Sequence, residues 1–310
     1  MKKLINKSII LSLVVALTAC NDWLNVSPKT DMKAEDLFST EAGFRDALIG
    51  VYALMATSNL YGKNLSYGYL DVLAQYYTSP RSNTSTGYEH NLKNAAAYNY
   101  TESDEESRIL SIWSSHFSAI ANINQALLFI DENRDVFTSE DIHHIYKGEF
   151  LALRALLHFN VLRLFAPSPM MDNQNGLNAF AIPYVEQYTN IAQPQLTVKE
   201  VLEKIVKDLL TAKNLMKERE IFNEFDSSSP MYKRNQRMNY YAVTALLARV
   251  YLYENEKTLA LTEVKEIIGE VDGENPTSYT LTTSGATATN PMFQSELIFT
   301  LDVQKLKDLS

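Results

Sequence analysis

The chain has 310 residues, one cysteine, five histidines and a formal net charge of −9. Its acidic balance argues against nucleic-acid binding, because basic patches supply most of the affinity for phosphate backbones. The single cysteine excludes a disulfide framework within the chain and a metal site built from several thiolates.

The N-terminus has the form of a lipoprotein export signal. Lys2, Lys3 and Lys7 precede a run that is nearly all apolar over residues 8–19. This run is too short to span a bilayer, which takes about 20 apolar residues, but it suits a signal peptide. Small residues then precede Cys20, as a lipoprotein signal peptidase requires. The sequence predicts a signal peptide over 1–19, acylation of Cys20 and a tether over 20–38; an ordinary signal peptide with a chance cysteine is the alternative.

Beyond the tether, apolar residues at helical spacing predict a helical domain over 39–310. A first helix is expected in STEAGFRDALIGVYALM, with Ser39 or Thr40 as its N-cap, and a second over 67–77. Residues 78–104 are polar and show no sustained period. Loops of this length within a compact domain are uncommon and are often functional.

Two long apolar stripes follow and predict the two longest helices. Thr138 and Asp141 resemble a capping box at the start of the second helix, and Pro167 ends it. The short join between them predicts antiparallel packing. Trp113 lies in the first stripe, where core packing is the expected role and a sugar-stacking platform is the alternative. The first stripe is Ile109, Ile112, Trp113, Phe117, Ile120, Asn124, Leu127 and Leu128, and the second is Ile142, Ile145, Tyr146, Leu153, Leu157, Val161 and Leu164.

The remainder of the chain predicts further helices and one strand. Residues 166–196 lack helical spacing, and Thr197 with Glu200 forms a capping box that begins the next helix. Asn239 is expected to cap the helix YYAVTALLARVYLYEN, whose partner is TLALTEVKEIIGE. The β-branched and aromatic content of Glu296–Val303 predicts a strand.

In this order, the segments resemble the SusD/RagB family of surface lipoproteins from Bacteroidetes outer membranes. The resemblance rests on four landmarks, which are Cys20 followed by DWLNVSPKT and DLFSTEAGFRDALIGVY, then IWSSHFSAIANINQALLFID, then GEFLALRALLHFNVLRLFA, and finally AVTALLARVYLY with SELIFT downstream. It implies an all-α fold of tetratricopeptide-like helix pairs, forming a right-handed superhelical scaffold with long loop excursions and little β-structure.

The resemblance also implies a function. Such a protein lies at the cell surface as a lid over a SusC-like TonB-dependent transporter and delivers glycans, or sometimes peptides, to it without covalent chemistry or a cofactor. Family members usually continue well beyond Val303, and their C-terminal half contributes loops to the ligand site. The sequence is therefore expected to be incomplete at its C-terminus, as a fragment, a frameshifted product or a reduced variant. The alternative function is a scaffold that docks on the transporter and binds no ligand.

By the same resemblance, the glycan site takes side chains from the loop before the IWSSHF helix. Aromatic faces stack on sugar rings, while Arg and Asn side chains hydrogen-bond sugar hydroxyls. The implied ligand contacts are Arg81, Asn83, Tyr88, Tyr98, Asn99 and Tyr100. Asn122 and Asn124 are expected instead to be buried and to bond to loop backbone, because buried polar groups need partners.

Two patterns of residues typical of metal sites or acid catalysis fit a structural role better. His143, His144 and Glu149 lack the i, i+4 histidine pair of a helical zinc site, so the sequence predicts no metal. The acidic cluster over 102–106 suits a loop end and first helical turn, near the positive end of the helix dipole. A surface hydrolase using paired carboxylates is the competing interpretation. The sequence has no GxSxG motif and no phosphate-binding glycine loop, so we expect no catalytic residue.

Overall fold

The computed structural model describes residues 33–77, 92–171, 175–220, 227, 229, 231–269, 279, 282 and 293–303. The predicted signal peptide and Cys20 lie outside these residues, as do Arg81, Asn83 and Tyr88. The chain separates into two compact units, of which the first ends at Leu37 and the second begins at Phe38. In the first unit, one helical turn spans Ala34–Leu37.

Long helices of the second unit stack in chain order. They are α1 (Glu41–Met55), α2 (Ser103–Ile130), α3 (Glu140–Phe165), α4 (Val198–Met216), α5 (Tyr240–Tyr253) and α6 (Lys257–Ile268). Each packs against its neighbour in sequence, from α1 on α2 through to α5 on α6. Over the described ranges there is no β-strand, only an isolated antiparallel bridge between Phe180 and Thr197. The mainly α, tetratricopeptide-like fold that the sequence predicts is thus confirmed.

Three of these helices begin where the sequence indicates. Thr40 caps α1, since its hydroxyl accepts a hydrogen bond from a backbone N–H three residues on. Thr197 and Glu200 form a complete capping box at the start of α4, and the Asn239 side chain caps α5. Caps of this kind satisfy N–H groups that have no partner within the helix, and each contributes about 1 kcal/mol.

The start of α3 differs from the prediction. Ser139, not Thr138, is the N-cap, and its hydroxyl accepts from the N–H of Ile142 at 3.2 Å. The N–H and the hydroxyl of Thr138 both donate to the Glu41 carboxylate on α1, at 2.6 Å. The capping box assigned to Thr138 and Asp141 was therefore wrong, because a contact between helices takes Thr138 away from the end of α3.

The region between α1 and α2 is also more structured than its sequence pattern suggests. The helix predicted over 67–77 is confined to Tyr69–Leu73. Residues 78–104 were expected to be irregular, yet their described part contains the short helix Lys93–Ala96. Both helices are too short to show a hydrophobic period, and packing against α2 stabilises them.

On α2, one residue of the predicted apolar stripe lies on the wrong face. Leu128 is 54% exposed, whereas Ala126 and Ile130 are fully buried. Successive residues on an α-helix are about 100° apart, so a position two residues from each of these points away from the core. The inclusion of Leu128 in the core stripe was therefore wrong.

The strand predicted over Glu296–Val303 is absent. A short 3-10 helix, Gln294–Glu296, is followed by extended chain without a strand partner. This chain is instead held by α5 and the residues before it: the Asn239 amide donates to the Ile298 carbonyl at 2.7 Å, and Thr300 N–H donates to the Asn235 carbonyl at 2.9 Å. β-Branched residues alone do not make a strand when no second strand lies beside them.

The centre of the stack is α3. Residues 148–159 are all buried, because α2 covers one side of the helix and α4 the other. Gly148 allows the close approach of α4, since a Cβ at this position would lie 2.9 Å from Met216 Cγ and 3.1 Å from the Ala212 carbonyl oxygen. In the part of the chain that the structure describes, no helix combines the length and the apolar character needed to cross a membrane.

Candidate functional site

The described end of the long polar loop presents two tyrosines. Tyr98 and Tyr100 are 50% and 44% exposed, and their ring centroids are 6.4 Å apart with the planes tilted by 59°. Tyr98 adopts a left-handed backbone conformation with φ of 53°, which is uncommon for an aromatic residue. Its hydroxyl donates to the Leu73 carbonyl at 2.8 Å, which connects the turn to the short helix Tyr69–Leu73. The two rings are thereby held on a fixed turn.

Tyr100 also forms the rim of a cavity of about 330 Å³, which we call the Tyr100 pocket. The other lining residues are apolar or aromatic and come from the short helix Tyr69–Leu73, from α2 and from the end of α3. They are Tyr69, Leu73, Ile109, Ile112, Leu164 and Phe165. A pocket with an aromatic rim and few polar groups suits a ligand that has an apolar face and a hydroxyl-bearing edge.

The hydroxyls near this pocket stay protonated at neutral pH. Burial raises the pKa of Tyr100, and the neighbouring Tyr98 and Glu105 raise it further. Burial likewise raises the pKa of Tyr69, with Glu105 adding to the effect. Both phenols can therefore donate as well as accept hydrogen bonds.

The predicted contacts thus fall into two groups. Tyr98, Asn99 and Tyr100 lie together on one turn, whereas Arg81, Asn83 and Tyr88 lie outside the described residues. The Asn99 amide donates to Glu102 at 3.2 Å, and its carbonyl oxygen accepts from the Thr101 hydroxyl at 3.1 Å. Asn99 therefore closes the turn before α2, and its role as a ligand contact stays a prediction.

The acidic cluster lies in and before the first turn of α2, as predicted. Asp104 accepts from the Asn94 amide at 2.9 Å, and Glu105 is fully buried with Arg108 Nε at 3.3 Å from one carboxylate oxygen. The first contact joins the short helix Lys93–Ala96 to α2, and the second lies within α2. The cluster therefore positions the Tyr98–Tyr100 turn at the N-terminal end of α2.

A buried polar cluster joins α2, α3, α4 and the segment after residue 180. Arg154 on α3 donates to both oxygens of Asp208 on α4, at 2.7 and 2.9 Å, and to the Asn124 carbonyl oxygen at 3.0 Å. The Tyr184 hydroxyl donates to Asp208 at 2.6 Å. Asn124 in turn donates to the Val185 carbonyl at 2.8 Å, which confirms the prediction that this asparagine bonds loop backbone.

The companion prediction for Asn122 was wrong. Asn122 is exposed on α2, whereas Asn124 is 2% exposed. The helical repeat explains the difference, because residues two positions apart are rotated by about 200° and lie on nearly opposite faces.

A second buried cluster accounts for Glu149. Its carboxylate accepts from Arg234 at 2.9 Å and from Arg237 at 2.8 Å. Burial raises the pKa of Glu149, but the two guanidinium groups and a hydrogen bond from the Tyr52 hydroxyl outweigh burial and hold the pKa below its ordinary value. This carboxylate is therefore a charged tie between helices, and it faces away from the histidines.

His143 also makes a structural contact. Its Nε2 lies 3.2 Å from the Ile130 carbonyl oxygen at the end of α2, and its ring is 5.1 Å from that of Phe137. Among the described residues, no group of three or more His, Cys, Asp and Glu side chains is placed to hold a metal ion.

The sequence did not single out the surface on the other side of Trp113. Trp113 packs against Phe117 at 4.7 Å and Phe165 at 5.0 Å between ring centroids, and it is partly exposed. Core packing is therefore only part of its role. The segment 183–193 lies across it and forms a second cavity. The sequence offered one signal, which is that Gln187 and Gln193 lie one residue before and five residues after Tyr188 in an irregular stretch.

Comparison with known proteins decides the family. A family model of SusD-like proteins, described as starch-binding and associating with the outer membrane, matches residues 22–252. The chain belongs to the SusD-like family. Its SusD-like relatives include SusD-like protein P2 of Formosa agariphila, which is 24% identical over 262 residues that cover 83% of this chain and 44% of the relative.

Solved SusD-like structures share the fold. A SusD superfamily protein from Bacteroides thetaiotaomicron superimposes with a TM-score of 0.62 and 21% identity, covering 81% of this chain and 50% of that chain. A laminarin-binding SusD-like protein superimposes with a TM-score of 0.57 and 19% identity, covering 82% of this chain and 49% of that chain. The chain thus spans about half the length of the SusD-like proteins that it matches.

Proposed function

We propose that this SusD-like chain is a lipid-anchored, surface-exposed outer-membrane protein that binds oligosaccharides and delivers them to a SusC-like TonB-dependent transporter. The observation that carries the proposal is the family match across residues 22–252, described as starch-binding and associating with the outer membrane. A structural neighbour named as laminarin-binding supports a glucan as the ligand class.

The Tyr100 pocket supports binding of a sugar. Tyr98 and Tyr100 offer aromatic faces for the apolar side of a sugar ring, and the Tyr100 hydroxyl, whose pKa burial raises, stays protonated to donate to a sugar oxygen. Backbone and side-chain contacts already hold the turn, so little conformational freedom is lost when a ligand binds. Arg81, Asn83 and Tyr88 complete the proposed set of contacts.

The proposed role is non-enzymatic. A glycan hydrolase needs two carboxyl groups flanking the scissile bond. The buried carboxylates Glu149 and Asp208 are instead paired with arginines inside the helix stack. Their charges stabilise packing, and neither faces the Tyr100 pocket.

The proposed anchor is Cys20. The apolar run before it and the small residues at the junction are those of a lipoprotein signal. Stable anchoring by acyl groups takes more than one chain, which a lipid-modified N-terminal cysteine supplies. Cys20→Ser should therefore release the protein from the outer membrane.

A second candidate function is a scaffold that docks on the transporter without binding a glycan. The observation that favours it is that the lining of the Tyr100 pocket is mostly apolar, so the described residues offer a sugar few hydrogen bonds there. Binding measurements on the 310-residue chain separate the two functions, because the scaffold predicts no heat of binding with any oligosaccharide.

The Tyr100 pocket is tested by Tyr100→Ala with malto- and laminari-oligosaccharides in isothermal titration calorimetry. Loss of one aromatic contact should weaken binding roughly tenfold, equivalent to about 1.4 kcal/mol. Phe180→Ala is the matched control, because Phe180 is 74% exposed and does not line the pocket. Equal affinities for the unaltered chain and Tyr100→Ala would contradict the assignment of this pocket.

A further inference from the structure

The cavity beside Trp113, which we call the Trp113 pocket, has a volume of about 360 Å³. Its floor is the aromatic face of α2 at Trp113 and Phe117, and its opposite wall is the segment 183–193. Tyr188 on that wall is 52% exposed, and Gln187 and Gln193 flank it. The pocket is therefore an aromatic slot with amide and hydroxyl groups along one side.

The wall of this pocket is fixed by buried side chains. The Asn124 amide donates to the Val185 carbonyl at 2.8 Å, and Val185 N–H donates to His158 Nε2 at 3.0 Å. Arg154 donates to the Glu186 carbonyl at 3.3 Å and is itself held by Asp208. A binding wall supported by such a second layer of hydrogen bonds needs little reordering when a ligand arrives.

The polar groups of the wall are free to meet a ligand. Gln187 makes no hydrogen bond to the described part of the chain, and Gln193 uses only its amide nitrogen, which donates to the Ile191 carbonyl at 3.0 Å. Amide groups that bear both donors and acceptors match the alternating hydroxyls of a sugar ring. The flat faces of Trp113 and Tyr188 match its apolar face.

The Trp113 pocket also adjoins the Tyr100 pocket. Phe165 lines the Tyr100 pocket, and its ring meets that of Trp113 edge to face at 5.0 Å. Along α2, Ile109 lines the Tyr100 pocket and Phe117 lines the Trp113 pocket. These positions are separated by eight residues, or about 12 Å of helix. A chain of ring contacts, from Phe117 through Trp113 to Phe165, therefore connects residues that line the two cavities.

We infer that the Trp113 pocket is a second saccharide-binding site, and that the ligand of this chain is an oligosaccharide long enough to extend from the Tyr100 pocket into it. The inference rests on the proposed function, because it adds a site for the same class of ligand. It predicts that a long oligosaccharide contacts both pockets, whereas a disaccharide in the Tyr100 pocket leaves Tyr188 without contact.

The test compares short and long glucose oligomers. The affinities of a disaccharide and a heptasaccharide, from both the malto and the laminari series, are measured by calorimetry with the unaltered chain, Tyr188→Ala and Gln187→Ala. Both altered residues lie on the wall of the pocket, and Tyr188 projects into solvent, so the helix stack remains folded. Phe180→Ala is again the control, because Phe180 lines neither pocket.

The unaltered chain should bind the heptasaccharide more tightly than the disaccharide. Tyr188→Ala should weaken heptasaccharide binding roughly threefold to tenfold and leave disaccharide binding unchanged. Unchanged heptasaccharide affinity in both Tyr188→Ala and Gln187→Ala overturns the second site and leaves the proposed function standing. Equal losses for both lengths also overturn the extended arrangement. No binding of any oligosaccharide by the unaltered chain overturns the proposed function together with this site.

Discussion

His158 illustrates how one buried side chain fixes both a tautomer and a loop. It lies fully buried in α3, where Nδ1–H donates to the Arg154 carbonyl at 2.9 Å and Nε2 accepts from Val185 N–H at 3.0 Å. If Nε2 were protonated, it would point a hydrogen at the N–H of Val185 and could no longer accept a hydrogen bond from it. Burial is the main cause that lowers the pKa of His158 to about 3, with the charge of Arg154 opposing protonation as well.

This pKa predicts that acid destabilises the protein. The ordinary pKa of histidine is about 6.5, so between about pH 7 and pH 5 the unfolded chain takes up a proton at His158 that the folded chain does not. The contribution of His158 to the free energy of unfolding is fully present above about pH 6.5. It decreases as the pH falls toward 3, by at most about 1.4 kcal/mol per pH unit. In His158→Gln, the slope of the free energy of unfolding against pH should be shallower, as measured by urea denaturation at each pH.

Other groups titrate in the same range and set the control. Burial lowers the pKa of His116, which adds a contribution of the same sign. Burial, Glu256 and Glu203 raise the pKa of Glu254 to about 7, so its contribution has the opposite sign and falls as pH rises. Both remain in His158→Gln and in His144→Gln. Burial lowers the pKa of His144 as well, but its ring is partly exposed whereas His158 is fully buried, so the loss of His144 should change the slope less. A slope for His158→Gln as steep as that of His144→Gln would contradict the role of His158.

At the scale of elements, the sequence predicts those features that depend only on residues close together in the chain. Thr40, Thr197 and Asn239 cap their helices because a side-chain oxygen and a nearby N–H are sufficient. Thr138 shows the limit, since its partner Glu41 lies 97 residues away. The strand predicted over Glu296–Val303 failed for the same reason, because a strand requires a partner that local composition does not reveal.

The candidate site shows the same limit: some of its residues can be predicted from the sequence, but the contacts between distant segments cannot. Tyr98 and Tyr100 were predicted from the family resemblance, which implies ligand contacts in the loop before the IWSSHF helix. The Tyr100 pocket brings Tyr69 and Phe165 together with Tyr100, and the Trp113 pocket joins α2 to a segment about 70 residues further on. No periodicity in the sequence relates such segments, so both cavities had to be found in the structure.

The contact of α3 with α4 includes a buried ion pair. Arg154 and Asp208 are 6% and 5% exposed, and the two residues lie 54 positions apart. Asp208→Asn leaves the Arg154 charge buried without its carboxylate, which should lower the free energy of unfolding by about 3–5 kcal/mol. Chemical denaturation measures this loss.

The matched control lies on the same helix. Glu203 forms an i, i+4 pair with Lys199 at 3.9 Å, and both side chains are more than 60% exposed. Glu203→Gln should leave the free energy of unfolding nearly unchanged, because exposed pairs are screened by water and salt. Similar losses in Asp208→Asn and Glu203→Gln would show that burial of the pair does not matter.

At the scale of the whole molecule, helices that pack on their sequence neighbours form a stack whose stability is built up locally. Both cavities lie where segments between helices fold back on α2, so the helices provide a rigid base and the connecting segments provide the ligand-facing groups. This arrangement suits the proposed role, in which the protein binds a ligand without altering it chemically. The proposed lipid anchor at Cys20 would keep such a protein beside the proposed transporter.

The most direct test of the account follows a fluorescently labelled heptasaccharide in fractionated cells that produce either the unaltered chain or Cys20→Ser. With the unaltered chain, the account predicts that the sugar is recovered bound to the protein in the outer-membrane fraction and at its original length. With Cys20→Ser, the protein and the bound sugar should move together to the soluble fraction. Sugar shortened by the purified chain, sugar bound by neither form, or Cys20→Ser still held in the membrane would contradict the account.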